Sequence, residues 1–514
     1  MAITKEGAFV KRGKWGSNIG FLLAAIGSAV GLGNIWRFSY MTYENGGGAF
    51  LVPYFIALLT AGIPLMILEY GFGHKTHGSS NLCFAKIDRK WEWLGWWMPV
   101  FAMFGILLYY SVIIGWCINY TFFSLTLKWG SDPQSFFLHN FLGLSSDVWK
   151  IGGIRLPILF STFIVWFITW YICFKDIDRG IEKACKIFMP TLFILTAILV
   201  IWSLTLKGAG SGIAWYLKPN WQKLWNWKVW IAAYGQIFFT LSLAFGIMIA
   251  YASYLPEDTN IVQNAFITCF ANCFYSVFAG FAVFGVLGYM AHTKGVGIDK
   301  IIKSGPSLAF VAYPEAISNL PFLRNLFGVL FFTALFLAGL SSAISLVEAF
   351  ACAVTDKFNF KRTKVVTISC LFGFLGSIVF TTRAGLFWLD IVDHFLTNYG
   401  LIFAGILECI AVGWFLKVSV LRKHINEVSA WKIKKGWDYA IKIFTPGILI
   451  IIFLTNLIGE VTLAYGGYKV SALLILGLGW LLITLIVSIF LSMKAWGKGK
   501  LEHIHLPEDD KLMI

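Results

Sequence analysis

Charge is scarce in this chain: only 13% of its 514 residues are Asp, Glu, Lys or Arg, about half the roughly 25% of an ordinary soluble domain. A soluble globular protein is thereby excluded. The nine cysteines are scattered, mostly in apolar runs, with no CxxC pair and none in the predicted outer loops. That excludes a disulfide framework and leaves them as small packing residues. The eight histidines fall in no HExxH or other ligand spacing, and no nucleophile–base pair stands out, so no enzyme centre is expected. The polar, basic N-terminal stretch through Lys14 lacks the small-residue cleavage site of a signal peptide. The first apolar segment is therefore expected to stay in the mature protein.

What is abundant is apolar length. Hydrophobic residues make up 58% of the chain and aromatics 18%. Apolar segments of about 18–25 residues, the length that crosses a bilayer as a helix, recur from end to end. Stretches such as Ile194 to Leu204 and Leu473 to Ile489 are largely apolar on every face, unlike the alternating segments of a strand-built barrel. The expected fold class is an all-α polytopic membrane protein with about 12 spans. They lie near residues 17–38, 48–72, 96–126, 155–174, 183–206, 228–255, 261–290, 326–356, 364–381, 386–416, 438–463 and 471–495.

The net charge of +15 would suggest nucleic acid in a soluble chain. Here most Lys and Arg fall on the side that becomes cytoplasmic when the spans are threaded with the N-terminus inside, as the positive-inside rule expects. The partner implied is the lipid bilayer and no nucleic acid. The basic run from Arg422 to Lys442 reads most simply as a topology determinant, with contact to anionic lipid as the alternative. The longest outer loops are Thr126 to Arg155 and Ala291 to Asn325; the second carries Pro314 and Pro321 and suits a re-entrant helical hairpin over the outer face.

Two spans are interrupted in their middles. The first contains Gly27-Ser28-Ala29-Val30-Gly31-Leu32-Gly33-Asn34, with glycines that each disfavour a helix by about 1 kcal/mol. The sixth contains Phe239-Thr240-Leu241-Ser242-Leu243-Ala244-Phe245-Gly246, with hydroxyls inside an apolar run. Small-residue helix packing of the GxxxG kind is the alternative reading of Gly27 and Gly31. Matching interruptions five spans apart instead point to an inverted-repeat transporter with a mid-membrane site. Non-helical backbone at that depth must be buried or line a cavity, since each unpaired group costs several kcal/mol. Freed amides at half-helix N-termini then attract a carboxylate, and freed carbonyls with Asn, Ser and Thr oxygens hold a small hard cation.

These residues carry a family resemblance. The strings Arg12…Trp15, Gly27 to Asn34, Arg37-Phe38, Glu44 to Phe50, Tyr109-Tyr110, Gln236 to Leu243 and Ala338 to Ser342 resemble bacterial members of the neurotransmitter:sodium symporters, those of the leucine-transporter type. The likeness runs from about Arg12 to the last span. It implies a 5+5 inverted repeat with discontinuous helices 1 and 6. The expected organisation is a cytoplasmic N-terminal segment at 1–16, five-helix repeats at 17–206 and 207–416, the last two spans with their basic loop at 417–495, and a cytoplasmic tail at 496–514. Sodium-coupled alternating access in a bacterial plasma (inner) membrane is the implied activity, as a monomer or homodimer. A non-transporting amino-acid sensor on the same scaffold and a sodium-selective channel are the alternatives.

Residue by residue, the resemblance implies a first sodium site at the Ala29 carbonyl, Asn34, Thr240 and Asn272. A second lies at the Gly27 and Val30 carbonyls with Ala338, Ser341 and Ser342. Substrate would meet Ala29, Gly31, Gly33, Tyr110 and Thr240, with Ile106, Phe239, Ser242, Phe245, Ser342 and Leu346 around its side chain. The family's amine transporters carry an aspartate where this chain has Gly31, which leaves room for the substrate's own carboxylate. A neutral L-amino acid with an aliphatic or thioether side chain is expected. Ser276 stands where the chloride-independent bacterial members have a carboxylate; with Tyr54, Gln236, Thr240 and Asn272 it matches the chloride site of animal members, so chloride is expected as the compensating anion. Glu69, Glu348 and Glu408 are the other intramembrane acids able to compensate. The resemblance also implies an outer gate of Arg37, Asp393, Tyr110 and Phe239, and an inner gate of Arg12, Trp15, Ser253, Tyr254 and Asp356. Gly180 and Pro190 resemble the motif that unwinds the start of the fifth span. Ala244, where relatives usually carry glycine, is expected either to narrow the pocket or to stiffen the break.

Overall fold

The computed structural model describes residues 13–298 and 306–497. Arg12, an expected member of the inner gate, lies outside the described residues, as does 299–305 of the second outer loop.

Among the described residues the backbone is helical, with two isolated β-bridges at Gly47–Pro219 and Ile154–Thr382. Ten helices are long and apolar enough to cross a membrane, as expected for chains whose backbone groups must be satisfied within the segment. We label the spanning elements α1 (Asn18–Ala29), α2 (Leu32–Glu44), α3 (Gly48–Thr76), α4 (Arg89–Ser124), α5 (Leu156–Phe174), α6 (Asp178–Leu204), α7 (Trp227–Thr240), α8 (Ile247–Ala252), α9 (Ile261–Lys294), α10 (Arg324–Phe358), α11 (Arg362–Thr381), α12 (Gly385–Phe415), α13 (Lys435–Gly467) and α14 (Val470–Met493). The first expected span is the bent pair α1 and α2, inclined by 65°. The sixth is α7 and α8, each too short to cross alone, so the segment is one interrupted path.

The outer layer is apolar where lipid would lie. Helices α13 and α14 keep most of their surface outside the protein, with Ile450, Ile458, Ile483 and Phe490 exposed. In water such a surface would associate; against hydrocarbon it costs nothing. Inside, α4, α9 and α10 enclose the broken segments, and Val30, Leu32, Leu241, Leu243 and Ala244 are fully buried. All nine cysteines are buried and unbridged, in agreement with their reading as packing residues. Of the expected hairpin, one helix is described: Leu308–Ser318. It is anchored by Tyr313 stacked on Phe331 at 4.0 Å and by Phe310 among Trp116, Tyr120 and Phe137.

Candidate functional site

The ladder of α1 stops at Val30, whose N–H still donates to Ile26 O at 2.7 Å. The next two amides turn away: Gly31 N–H donates to Asn34 Oδ1 at 2.9 Å, and Leu32 N–H to the Tyr110 hydroxyl at 3.3 Å. In an unbroken helix those amides would serve the carbonyls of Gly27 and Ser28. Both carbonyls are thereby released at the centre of the molecule. The Ser28 carbonyl accepts from two hydroxyls, Ser242 at 3.0 Å and Ser342 at 3.1 Å. One oxygen thus ties together the first broken segment, the sixth broken segment and α10.

Gly31 is closely faced by hydroxyls. A Cβ placed there would come within 3.1 Å of both Ser342 Oγ and Tyr110 Oη, and one at Gly33 within 3.1 Å of the Phe239 ring, so a side chain at either position would crowd these groups. The Leu32 amide and the Tyr110 hydroxyl meet beside Gly31 at the N-terminus of α2, the end of a helix that favours an anion. Ile106, Phe245 and Leu346 are buried, and Ile106 closes a widened turn at Ala102–Ile106 in α4. The pocket region is therefore apolar on those sides, while Ser242 and Ser342 present hydroxyls already engaged by backbone.

The sixth segment breaks by a different local device. After Leu241 the backbone enters the left-handed region at Ser242 (φ 54°), Ala244 (φ 61°) and Gly246 (φ 72°). Only the last of these is a glycine, the residue that adopts such angles freely. Ala244 is fully buried, and its N–H donates to the carboxylate of Glu69 on α3 at 2.7 Å.

Around α9, Asn34 Nδ2 donates to Asn272 Oδ1 and to Ser276 Oγ, both at 2.8 Å. Asn272 Nδ2 donates to Thr240 Oγ1 at 3.3 Å. Four of the expected ion-site residues are thus one connected group. On α10, the Ser341 and Ser342 hydroxyls donate to the Ala338 carbonyl at 3.0 and 3.3 Å, and Gly27 packs against Ser341, to which an added Cβ would lie 3.3 Å from Cβ. This donor set is neutral oxygen only, the set a hard monovalent cation accepts. Beside it, the Tyr54 hydroxyl and both polar atoms of Gln236 are buried with no hydrogen-bond partner, and Tyr54 stands next to Cys273 and Ser276. Orphaned buried donors are rare because each costs about 1–3 kcal/mol. Unpartnered donors of this kind suit a small anion.

The gates differ from one another. No N···O contact within 4 Å joins Arg37 to Asp393 among the described residues; Arg37 instead lies over the Phe239 ring, 4.3 Å from its centroid, and Asp393 accepts from the Tyr109 hydroxyl. The expected pair is separated, and Arg37, Tyr110, Phe239 and Asp393 all keep partial exposure. On the expected inner side the described residues are bonded to one another. Trp15 Nε1–H donates to Tyr251 O at 2.8 Å, and the indole meets Phe21, Tyr251 and Tyr254 edge-on at 5.2–6.5 Å. Asp356 accepts from the Ser79 N–H and hydroxyl, both at 2.8 Å. Tyr254 donates to Glu348 at 2.7 Å, Glu348 pairs with Arg362, and Ser253 is capped by the Ala250 carbonyl.

Several of these partners carry no signal in sequence. Ser79 is unremarkable alone, and Glu182, near Gly180, accepts from Gly16 N–H at 2.6 Å and Ser17 Oγ at 2.8 Å. Glu69 is the exception, since an acid inside a span advertises itself. Its role as the anchor of the sixth break, rather than only as a compensating charge, emerges from the fold.

Comparison with known proteins agrees with this geometry. The profile of the sodium:neurotransmitter symporter family matches residues 12–132 and 128–497. An uncharacterised sodium-dependent transporter of Methanocaldococcus jannaschii is 47% identical, over 96% of this chain and 100% of its own length. A sodium- and chloride-dependent glycine transporter 1 of Xenopus laevis is 32% identical, over 88% of this chain and 80% of its own. A sodium- and chloride-dependent GABA transporter 2 of Rattus norvegicus is 30% identical, over 100% and 90% respectively. The broken first and sixth segments thus sit in a chain whose relatives move solutes with sodium, and the chain belongs to the sodium:neurotransmitter symporter family.

Proposed function

We propose that this protein is a sodium-coupled symporter of neutral, hydrophobic-side-chain amino acids that works by alternating access and requires chloride. The observation that carries the reading is the break at Gly31, where the Tyr110 and Ser342 hydroxyls and the Leu32 amide that donates to Tyr110 gather. A substrate carboxylate suits those donors, while its ammonium meets carbonyls freed by the two breaks. Ala29, Asn34, Thr240 and Asn272 are the residues proposed to hold one sodium ion, next to that carboxylate, so the zwitterion and the ion complete each other's coordination. Gly27, Val30, Ala338, Ser341 and Ser342 are proposed to hold the second. Chloride at Tyr54, Gln236, Thr240, Asn272 and Ser276 supplies the negative charge that two buried cations need. The glycine and GABA transporters above are sodium- and chloride-dependent.

The cycle follows from the two gates. Sodium and substrate enter from the side of Arg37 and Asp393, which close over Phe239 and Tyr110; the Trp15 plug then opens. Each sodium carries about 2.3 kcal/mol per 100 mV of membrane potential, so two ions bring about twice that, less the chloride charge that accompanies them. The repeats at 17–206 and 207–416 are proposed to rock against one another, with both termini cytoplasmic in the plasma membrane. The test is radiolabelled amino-acid uptake into proteoliposomes, with sodium and chloride varied independently. Uptake that ignores replacement of sodium by potassium refutes the reading. Binding without uptake makes the protein a sensor, and sodium flux without substrate makes it a channel.

A further inference from the structure

The outer end of α12 carries two hydrogen-bonded faces, and the symport reading uses only one. On the gate face, Asp393 accepts from Tyr109, and Thr397 Oγ1 donates to the Asp393 carbonyl at 2.7 Å. On the other face, residues one turn apart meet α13 and the outer loop that follows it. Asp390 accepts from the hydroxyls of Tyr465 at 3.0 Å and Tyr468 at 2.9 Å. His394, next to Asp393, is sandwiched: the Tyr465 ring lies 3.6 Å away and 11° from parallel, and Nε2 meets Glu460 Oε2 at 2.8 Å. Asn398 Nδ2 reaches His394 Nδ1 at 3.1 Å, and Glu460 Oε1 accepts from the Tyr465 amide at 3.3 Å. A bracket of three side chains and one loop therefore grips the turn that bears the gate aspartate.

The bonding selects one form of the imidazole. With Nε2 protonated and Nδ1 bare, Nε2–H donates to Glu460 and Nδ1 accepts from Asn398, so both nitrogens are satisfied. The groups that face the ring are Glu460 and Tyr465 from α13, Tyr468 from the loop that follows, and Asp390, Asp393 and Tyr399 from its own helix; Asp147, on the neighbouring outer loop, is paired with Lys469 at 3.0 Å.

We propose that the outer end of α13, acting through Tyr465 stacked on His394, is a positioning clamp that sets where Asp393 stands in the outer gate. Asp393 and Arg37 are out of contact in this structure, so substrate capture requires α12 to bring the aspartate inward, and the clamp is what that turn must move against. Tyr465 is thus a positioning residue for substrate capture and touches no substrate. This inference deepens the symport reading and rests on it only for calling Asp393 a gate.

Two measurements separate the clamp from that reading. Leu386→Cys places a reporter two turns before Asp393, in a chain whose native cysteines are all buried, and its labelling by a membrane-impermeant maleimide in sodium needs no substrate. Tyr465→Ala is expected to change the labelling rate by about two- to tenfold, the range a stacked ring pair supports, with the melting temperature held and Tyr465→Phe restoring most of the effect. An unchanged rate in Tyr465→Ala overturns the clamp. In sodium-driven uptake of L-leucine, Tyr465→Ala should raise KM by a similar factor and leave Vmax nearly unchanged. A native chain that takes up no amino acid removes the symport reading while the labelling still decides the clamp.

Discussion

Replacing Ser276 by glutamate should release this protein from chloride. In the native chain the Tyr54 hydroxyl and the Gln236 amide are buried donors without partners, and Asn34 Nδ2 already points at Ser276 Oγ from 2.8 Å. Two unsatisfied donors cost about 1–3 kcal/mol each. An anion that meets both returns about 2–6 kcal/mol, a change in apparent affinity of roughly 30-fold to 10⁴-fold when chloride is withdrawn. A glutamate on α9 brings the carboxylate covalently, with three donors waiting. Its added volume enters a fully buried position at a cost of about 1–3 kcal/mol, so the variant should melt a few degrees lower and still fold. The assay is sodium-driven uptake with chloride exchanged for gluconate: the native chain should lose most of its transport and Ser276→Glu should lose almost none. A folded variant that keeps the native chloride requirement, or a native chain indifferent to chloride, refutes the anion site.

Other outcomes follow from the same contacts. Ser342→Ala removes one of two hydroxyls on the Ser28 carbonyl and should raise the sodium concentration for half-maximal uptake by about five- to tenfold, as the loss of about 1 kcal/mol in a hydrogen bond predicts. Ala244 holds φ 61°, so Ala244→Gly should be tolerated and add up to about 1 kcal/mol of thermal stability, whereas Ala244→Val, branched at Cβ, should abolish folding of the segment; a destabilised glycine variant contradicts the strain. In the helix Val418–Val428, between α12 and α13, His424 Nε2 meets His74 Nδ1 at 2.9 Å, and burial, then the neighbouring His74, Lys75 and His77, push His424 down to about 4. A depressed histidine binds its proton more readily unfolded. Its stabilising contribution is therefore complete above the ordinary value near 6.5 and is lost as pH falls toward about 4, and the melting temperature of the purified protein should drop across that window less steeply in His424→Gln.

Much of the architecture was legible from residue order. Continuous apolar runs dictate membrane helices because only they satisfy every backbone group in hydrocarbon, and glycines at 27, 31 and 33 mark the first break through their low helix propensity. The sixth break is written less plainly, since Ser242 and Ala244 are not residues that usually take positive φ. What holds them there is Glu69, distant in sequence. The Arg37–Asp393 expectation met the same limit. Their types announce a pair, yet their separation depends on how far α12 stands from α2, which Tyr109 and the cation–π contact with Phe239 help to decide.

Sequence by itself determined the solvent of this protein and the residue types available at its centre, because hydropathy and oxygen-bearing residues are local properties of the chain. Tertiary structure alone decided which carbonyls are freed and which are taken, as with Ser28 bridged by two hydroxyls. It also decided which donors stay unpaired, as with Tyr54 and Gln236. Hydrogen-bond satisfaction is a sum over neighbours brought together from distant parts of the chain, and no local pattern contains it.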